Sequence, residues 1–345
     1  MLKKVTLFTA ICGICCTIQA QNPFTFEGSY VGDIYYNATG GLKRGGGFMG
    51  MGNIMVGFDT EKARLWKGGS LFINGASIHG KSLTENYLGD LQVASNIDAG
   101  EHAYLHELWF RQQLGSLSLT FGLQDLNAEF MVNEGSGEFI NSSFGVPPVI
   151  ATGIPVPIFP LTGFGLAASW EINDKWSVQG ALFDGNQTSF DHNPNNVHWS
   201  FSKNDGLLTL GEVHVNGRFK LGAYHHSADN NYGFYALADH PVNERLGLFG
   251  QLAVAPKGKN ENNYSIGLGA NYLLAKHHTA GLAATCAGLH RAEHRHETAI
   301  ELYYKYMPGD NIALQPDIQY IINPSGAEEQ LANALVGILR LHIRF

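Results

Sequence analysis

Apolar and polar residues alternate along most of this chain with a period of two. The pattern is clearest at the C-terminus, where Leu335, Gly337, Leu339, Leu341, Ile343 and Phe345 share one parity and Arg340, His342 and Arg344 take the other. Period two predicts a strand with one apolar face. Similar faces recur upstream: Ile300, Leu302, Tyr304 and Tyr306 alternate with Glu301, Tyr303 and Lys305. Leu314, Pro316, Ile318, Tyr320 and Ile322 alternate with Gln315, Asp317 and Gln319, and Leu117, Leu119, Phe121 and Leu123 alternate with Ser118 and Thr120. Where one face already turns arginines to water, the other meets either a packed core or a lipid bilayer. A last strand that ends on phenylalanine is what outer-membrane barrels carry, and Phe345 is expected to serve as an outward-facing assembly signal for the barrel-assembly machinery.

Alternating segments fall near residues 25–37, 51–60, 69–79, 103–114, 117–124, 162–172, 175–184, 208–216, 218–226, 231–239, 245–254, 263–273, 278–287, 297–307, 312–322 and 334–345. The number is even. Connection lengths give an independent test, because outer-membrane barrels have short periplasmic turns and longer external loops. Residues 80–102, 125–161 and 185–207 form long odd-numbered connections, whereas Gly115-Ser116, Asn173-Asp174 and Pro308-Gly309-Asp310 are short even-numbered ones. A soluble sandwich has no reason to segregate turn lengths by parity, although the 60–68 connection is long for this scheme and 227–230 short. The predicted fold is an all-β, 16-stranded antiparallel transmembrane β-barrel, closed by pairing of its last strand with the first near residue 30. A barrel of this size leaves an aqueous channel.

Composition narrows the class. Glycine is abundant at 42 of 345 residues and aromatics make up 11%, yet no stretch after residue 20 approaches the roughly 18 apolar residues of a spanning helix. Lys3 and Lys4, the apolar run Val5 to Thr17 and Ile18-Gln19-Ala20 read as an export signal over residues 1–20, leaving residues 21–345 as one barrel domain. Three of the four cysteines, Cys12, Cys15 and Cys16, then leave with the signal, and Cys286 has no intramolecular partner for a disulfide. Loss of Lys3 and Lys4 takes the formal charge from −8 to −10, which argues against nucleic-acid binding.

The connection Asp125–Leu161 is too long for a hairpin loop. It holds Pro147, Pro148, Pro155, Pro157 and Pro160, five of twelve prolines, and the aromatic-rich stretch Phe139 to Gly145. Proline stiffens extended backbone and keeps it out of a sheet. Such a loop either projects outward or folds into the lumen and narrows it, and its third place among the external loops and its aromatic content favour the inward-folded form.

Several blocks are similar to one family. They are Tyr30, Gly32, Asp33, Asn37, Gly40 and Gly41 near the start, then Glu107-Leu108-Trp109, Gly122 to Asn127 with Glu129-Phe130, and Phe139 to Gly145. Phe183-Asp184-Gly185 follows Trp176, and the most specific block is Leu314 to Pro324 with Gly326. On these residues the chain resembles the carbohydrate-selective porins of Gram-negative outer membranes, the OprB type. The resemblance implies a cell outer membrane channel through which sugars diffuse passively, with no cofactor, metal or ATP. It leans towards a monomer, while other porins are homotrimers. Gln124 departs from the family, whose members often carry a basic residue there.

A sugar has hydroxyls around its rim and weakly apolar ring faces, so its path should offer charged and amide groups beside aromatic surfaces. Strand parity places Glu107, Trp109, Arg111 and Gln113 on one face, and Asp125, Asn127 and Glu129 sit where the long loop leaves the barrel. These form the expected constriction, with Glu107 carried by a family block and Arg111 by parity alone. The alternative is that Glu107, Arg111 and Asp125 are ion pairs holding the loop to the wall. Asp33, Glu301, Asp317, Gln319, Arg340 and Arg344 are expected to line the rest of the lumen wall, either in contact with solute or as a solvated ladder of charges.

Other signals carry less. His290 to Glu297 contains His294 and His296 at strand spacing but no zinc signature, and reads as a solvated rim loop. No nucleophile motif accompanies Ser142, Ser143 or any other serine, so an enzyme is not expected. The rival readings are a general diffusion porin for other small solutes and a plugged structural barrel.

Overall fold

A computed structural model describes residues 22–256, 258–289, 296–326 and 331–345. The expected export signal, with Cys12, Cys15 and Cys16, lies outside the described residues, as do 290–295 of the histidine-rich stretch. Within them, sixteen strands form one closed antiparallel barrel. They are β1 (Phe24–Gly41), β2 (Gly45–Asp59), β3 (Gly69–Gly80), β4 (His102–Leu114), β5 (Leu117–Gln124), β6 (Gly163–Glu171), β7 (Trp176–Asp184) and β8 (Leu207–Val215). There follow β9 (Phe219–His226), β10 (Asn231–Pro241), β11 (Leu246–Val254), β12 (Asn262–Ala275), β13 (His278–Leu289), β14 (His296–Gly309), β15 (Ile312–Ile322) and β16 (Ala332–Arg344). Every alternating segment becomes a strand. β16 closes on β1 from Ser29 opposite Arg344 to Gly41 opposite Ala332, so the first and last strands cover each other's edges.

The principal departure from the alternation reading is the first hairpin. β1 and β2 run on until only residues 42–44 connect them, where a longer loop over 38–50 was expected. Gly45-Gly46-Gly47 shows no alternation and reads as loop, yet it is strand because rings lie where side chains would stand. A Cβ at Gly45 would meet the Tyr87 ring at 2.3 Å, and one at Gly47 would meet the Tyr35 hydroxyl at 2.4 Å. The turn itself uses positive φ at Gly40 and Gly41.

The two faces separate as alternation requires. Ile300, Leu302, Tyr304, Ile318, Tyr320, Leu339 and Leu341 are exposed on the outer wall, while their neighbours Glu301, Tyr303, Asp317 and Gln319 are buried on the inner one. Leu123 keeps outward parity by pairing with Leu108 and Phe164 but is fully buried rather than exposed to lipid. The inner wall is not uniformly wet either. Ala334, Val336 and Ile338 of β16 point inward and pack with Leu83, Leu88, Ala94, Ile97 and Ile140.

These last residues belong to connections that lie inside the barrel. Residues 126–145 touch side chains on the inner faces of β7 to β12, β14 and β15, and residues 91–95 reach β14, β15 and β16. Residues 185–206 do something different. β5 leaves the wall at Gln124 and strips the upper part of β4 of a partner, and the later connection replaces it: Leu105 N donates to Asn195 O (3.0 Å), and Asn195 and Asn196 amides donate to Ala103 O and Leu105 O.

Closure of the sheet is reinforced by a buried ion pair between register partners. Arg340 Nε and Nη2 donate to Asp33 Oδ1 and Oδ2, each at 2.8 Å, and Ser95 Oγ donates to Asp33 Oδ2 at 2.7 Å. Asp33→Ala would leave the guanidinium inside without its counter-charge, an expected loss of roughly 3–5 kcal/mol. A urea unfolding midpoint measured in lipid vesicles should fall accordingly, and the double substitution of both partners by leucine should recover much of the difference.

Candidate functional site

The expected constriction residues gather where β4 meets the departing chain after β5. A bulge at His106 separates Glu107 opposite Asn74 from Leu105 opposite Gly75, and below it β4 presents Glu107, Trp109 and Arg111 to the lumen. Their cross-strand partners are Asn74, Phe72 and, on β5, Thr120. Trp109 stacks on Phe72 with centroids 5.0 Å apart and donates its indole N–H to Glu107 Oε1 at 3.1 Å. The Arg111 guanidinium lies 4.8 Å from the Trp109 ring centre, donates through Nε to Thr120 Oγ1 at 2.9 Å, and pairs through Nη2 with Glu129 Oε1.

This arrangement separates the candidates into two kinds. Arg111 and Glu129 keep 30% and 44% of their side chains exposed, so their pairing is worth about 0–1 kcal/mol and a solute hydroxyl can compete for it. They open on a cleft of about 200 Å³ that also takes in Gln113, Ser118, Thr120 and Gln179. Asp125 and Asn127 are instead engaged in holding the loop. Asp125 accepts from Asn127 N (2.8 Å) and Phe159 N (3.2 Å) and lies 3.4 Å from His106 Nε2, while Asn127 Nδ2 donates to Phe130 O. Gln124, at the position where a basic residue is common in the family, donates its amide to Gly165 O at 2.9 Å and is buried.

Most of the expected lumen-wall residues face inward but are covered. Glu301 accepts from Ile140 N (2.6 Å) and Asn141 N (2.9 Å), and Gln319 bonds Asn141 and Ala94 O. Asp317 accepts from Gln319, and Arg340 is held by Asp33. Only Arg344 is exposed. Asp33, Glu301, Asp317 and Gln319 are buried and the Arg340 side chain keeps 13% of its surface exposed. Glu297, at the start of the alternating segment 297–307 and the last residue of the histidine-rich stretch, is a buried strand residue that accepts from Leu91 N and Gln92 N.

Sequence reasoning missed Phe72, Asn74, His106, Thr120, Gln179 and Glu212. Phe72, Asn74 and Thr120 are register neighbours of β4 residues and His106 is the bulge within β4, so only the strand pairing would have found their roles. Glu212, fully covered, accepts from Met131 N, Gln179 and the Tyr235 hydroxyl, and Gln179 also donates to Glu129 O at 2.9 Å. Among the described residues no group of three or more His, Cys, Asp or Glu is placed to hold a metal ion.

A closed barrel of sixteen strands, narrowed from within and lined beside the narrowing by a charged and aromatic cleft, is a porin. The family model of the carbohydrate-selective porin, OprB family, matches residues 44–244 and 219–345, and the chain belongs to that family. It is a sugar-selective channel of the outer membrane. Porin B of Pseudomonas aeruginosa is 22% identical over 405 residues, covering 94% of this chain and 88% of that protein. Pseudomonas putida OprB, in its high-pH structure, superposes with a TM-score of 0.82 at 19% identity over 94% of each chain. A Rhodopseudomonas blastica porin shares the fold more distantly, with a TM-score of 0.54 at 11% identity over 93% of this chain and 100% of that one.

Two measurements test how the inward segments are held. Glu301→Ala removes the acceptor of two consecutive buried N–H groups, each costing about 1–3 kcal/mol when orphaned. Single-channel recordings are expected to show higher and noisier conductance. The second concerns Asp90, which lies in the connection 81–101 beside Glu297. Burial pushes its carboxyl up to about 6. A folded value raised above the unfolded one favours the protonated acid, so this contribution to stability is complete below about 3.8 and is lost as pH rises through about 6. Unfolding midpoints taken from pH 4 to 7 should decline over that window in the native chain and decline less in Asp90→Asn.

Proposed function

We propose that sugars cross beside the β4–β5 wall, with Glu107, Trp109, Arg111 and Glu129 as their contacts. The observation that carries this reading is the half-exposed Arg111–Glu129 pair against the Trp109 ring. Glu129 accepts from and Arg111 donates to sugar hydroxyls, while the indole face takes the C–H face of the ring; an aromatic contact of this kind adds about 0.5–1.5 kcal/mol beyond area burial. Arg111 and Glu129 are not deeply buried, which keeps binding weak enough for exit. Asp125 and Asn127 set the position of Glu129 without touching the solute. Asp33, Glu301, Asp317, Gln319 and Arg340 act as scaffold, and Arg344, exposed near the end of β16, donates its Nε to His342 Nε2 at 3.5 Å.

Transport by diffusion requires no chemistry, and no catalytic role is assigned to any residue. Export through removal of residues 1–20, delivery to the assembly machinery with Phe345 as the outward-facing end of β16, and a monomer as functional unit complete the reading. Phe345 fits it in being 75% exposed while its backbone pairs with Gly28 at 2.8 and 2.9 Å.

The test is single-channel conductance in planar bilayers, titrated separately with glucose, maltose and a neutral amino acid. Saturable block by sugar and none by the amino acid is expected. Trp109→Ala should weaken that block by about fivefold, the equivalent of ~1 kcal/mol, and Arg111→Ala should raise open conductance while also weakening it. Conductance indifferent to sugar in the native channel would replace the selective pore with a general diffusion porin; near-absence of conductance would mark a plugged barrel.

A further inference from the structure

The cleft beside Arg111 continues past the contacts assigned to a first sugar ring. Two rows of register partners cross β4 to β7 on the inner face. One is Arg111, Thr120, Ala167 and Ala181; the other, two residues nearer the short turns, is Gln113, Ser118, Ser169 and Gln179. Short turns mark the periplasmic end. The inward loop covers only the first row, where Leu126 and Phe130 share a packed cluster with Ala167 and Ala181. The second row stays open, and with Glu129 and Phe130 it borders the cleft of about 200 Å³.

This open row is polar throughout. Ser118 and Ser169 stand opposite each other on β5 and β6, half-buried, and their hydroxyls make no hydrogen bond among the described residues. The two amides at its ends are fixed through nitrogen: Gln113 Nε2 donates to Gly115 O at 2.7 Å, and Gln179 Nε2 donates to Glu129 O at 2.9 Å and Glu212 Oε2 at 2.7 Å. Each Oε1 is thereby a held acceptor with no donor among the described residues. Groups already fixed lose little further freedom when a solute arrives. Two hydroxyls between two held acceptors match the rim of a sugar, whose hydroxyls both donate and accept.

Neighbouring strands lie about 4.8 Å apart and residues about 3.4 Å along a strand, so the row spans about 14 Å and lies about 7 Å beyond Arg111. A ring held by Trp109, Arg111 and Glu129 leaves the next ring of an oligosaccharide over the serines. We propose that Ser118, Ser169 and the Oε1 atoms of Gln113 and Gln179 form a second, exit-side sugar subsite, and that the channel accordingly binds solutes of two or more pyranose rings more tightly than monosaccharides. The inference rests on the placement of the first ring at Trp109, Arg111 and Glu129.

Single-channel block by glucose and by maltose, measured in planar bilayers, tests it. In the native channel half-block by maltose is expected at a concentration about fivefold lower than by glucose, the gain from roughly one net hydrogen bond. The double substitution Ser118→Ala, Ser169→Ala should erase that ratio, whereas Trp109→Ala should weaken block by both sugars by a similar factor and preserve it. Open conductance without sugar shows that each variant is folded. Equal block by the two sugars in the native channel would overturn the second subsite and leave the first ring's contacts standing; block by neither would remove both. A maltose preference that survives the double substitution would overturn the subsite in favour of molecular size. Equal weakening of both sugars by the double substitution would overturn it as well, by placing the serines in the first ring's site.

Discussion

Irregular backbone inside a barrel has to find partners for its N–H and C=O groups, and the inner wall of this protein is built around that requirement. Carboxylates accept consecutive N–H groups from the inward segments: Glu297 takes Leu91 and Gln92, Glu301 takes Ile140 and Asn141, and Asp239 takes Glu134 and Gly135 at 3.0 and 2.9 Å. Amides do the converse. Gln179, Gln251, Asn271, Gln315 and Gln319 donate to the carbonyls of Glu129, Phe144, Gly135, Glu138 and Ala94. An unmet buried group costs about 1–3 kcal/mol, so a wall offering both kinds of partner fixes where the segments lie, and with them the shape of the passage.

Burial then decides which charges are available to a solute. Charge-assisted hydrogen bonds are roughly twice as strong as neutral ones, and those formed by Glu301, Glu212 and Asp33 are sealed under the inward segments, so no passing sugar can exchange with them. Arg111 and Glu129 make the same kind of bond in a half-exposed setting. Water already screens it, and replacing it by a hydroxyl costs little. Of the ion pairs on the inner face, it is exposure and not distance that sets this one apart.

The strands were legible because lipid on one side and polar partners on the other force alternation at every position. Parity also placed Glu107, Trp109 and Arg111 on one face, with Glu107 carried by a family block as well. What alternation could not supply was the other half of each long-range bond: nothing local to Glu301 says that its partners are Ile140 and Asn141, 161 and 160 residues away in sequence. Proline and aromatic content flagged residues 125–161 as a special loop, whereas the 81–101 connection, with no proline, gave no such sign although Ser95 sits between Asp33 and Arg340. Gly45-Gly46-Gly47 was misread for a related reason. A glycine strand leaves no alternating face, and the rings that fill its place come from Tyr35 and Tyr87.

The break in the wall at Gln124 ties scaffold and passage together. By leaving the sheet there, the chain brings Glu129 within reach of Arg111, but it also exposes the upper edge of β4, an open row of backbone groups. Three repairs follow: Gln124 satisfies Gly165, Thr162 donates to His106 O, and Asn195 with Asn196 serves Ala103 and Leu105. A basic side chain at 124 would bring charge to a buried position now occupied by a neutral amide bonded to a carbonyl. The cation paired with Glu129 accordingly comes from Arg111, on a strand that both its neighbours and the returning connection hold in place.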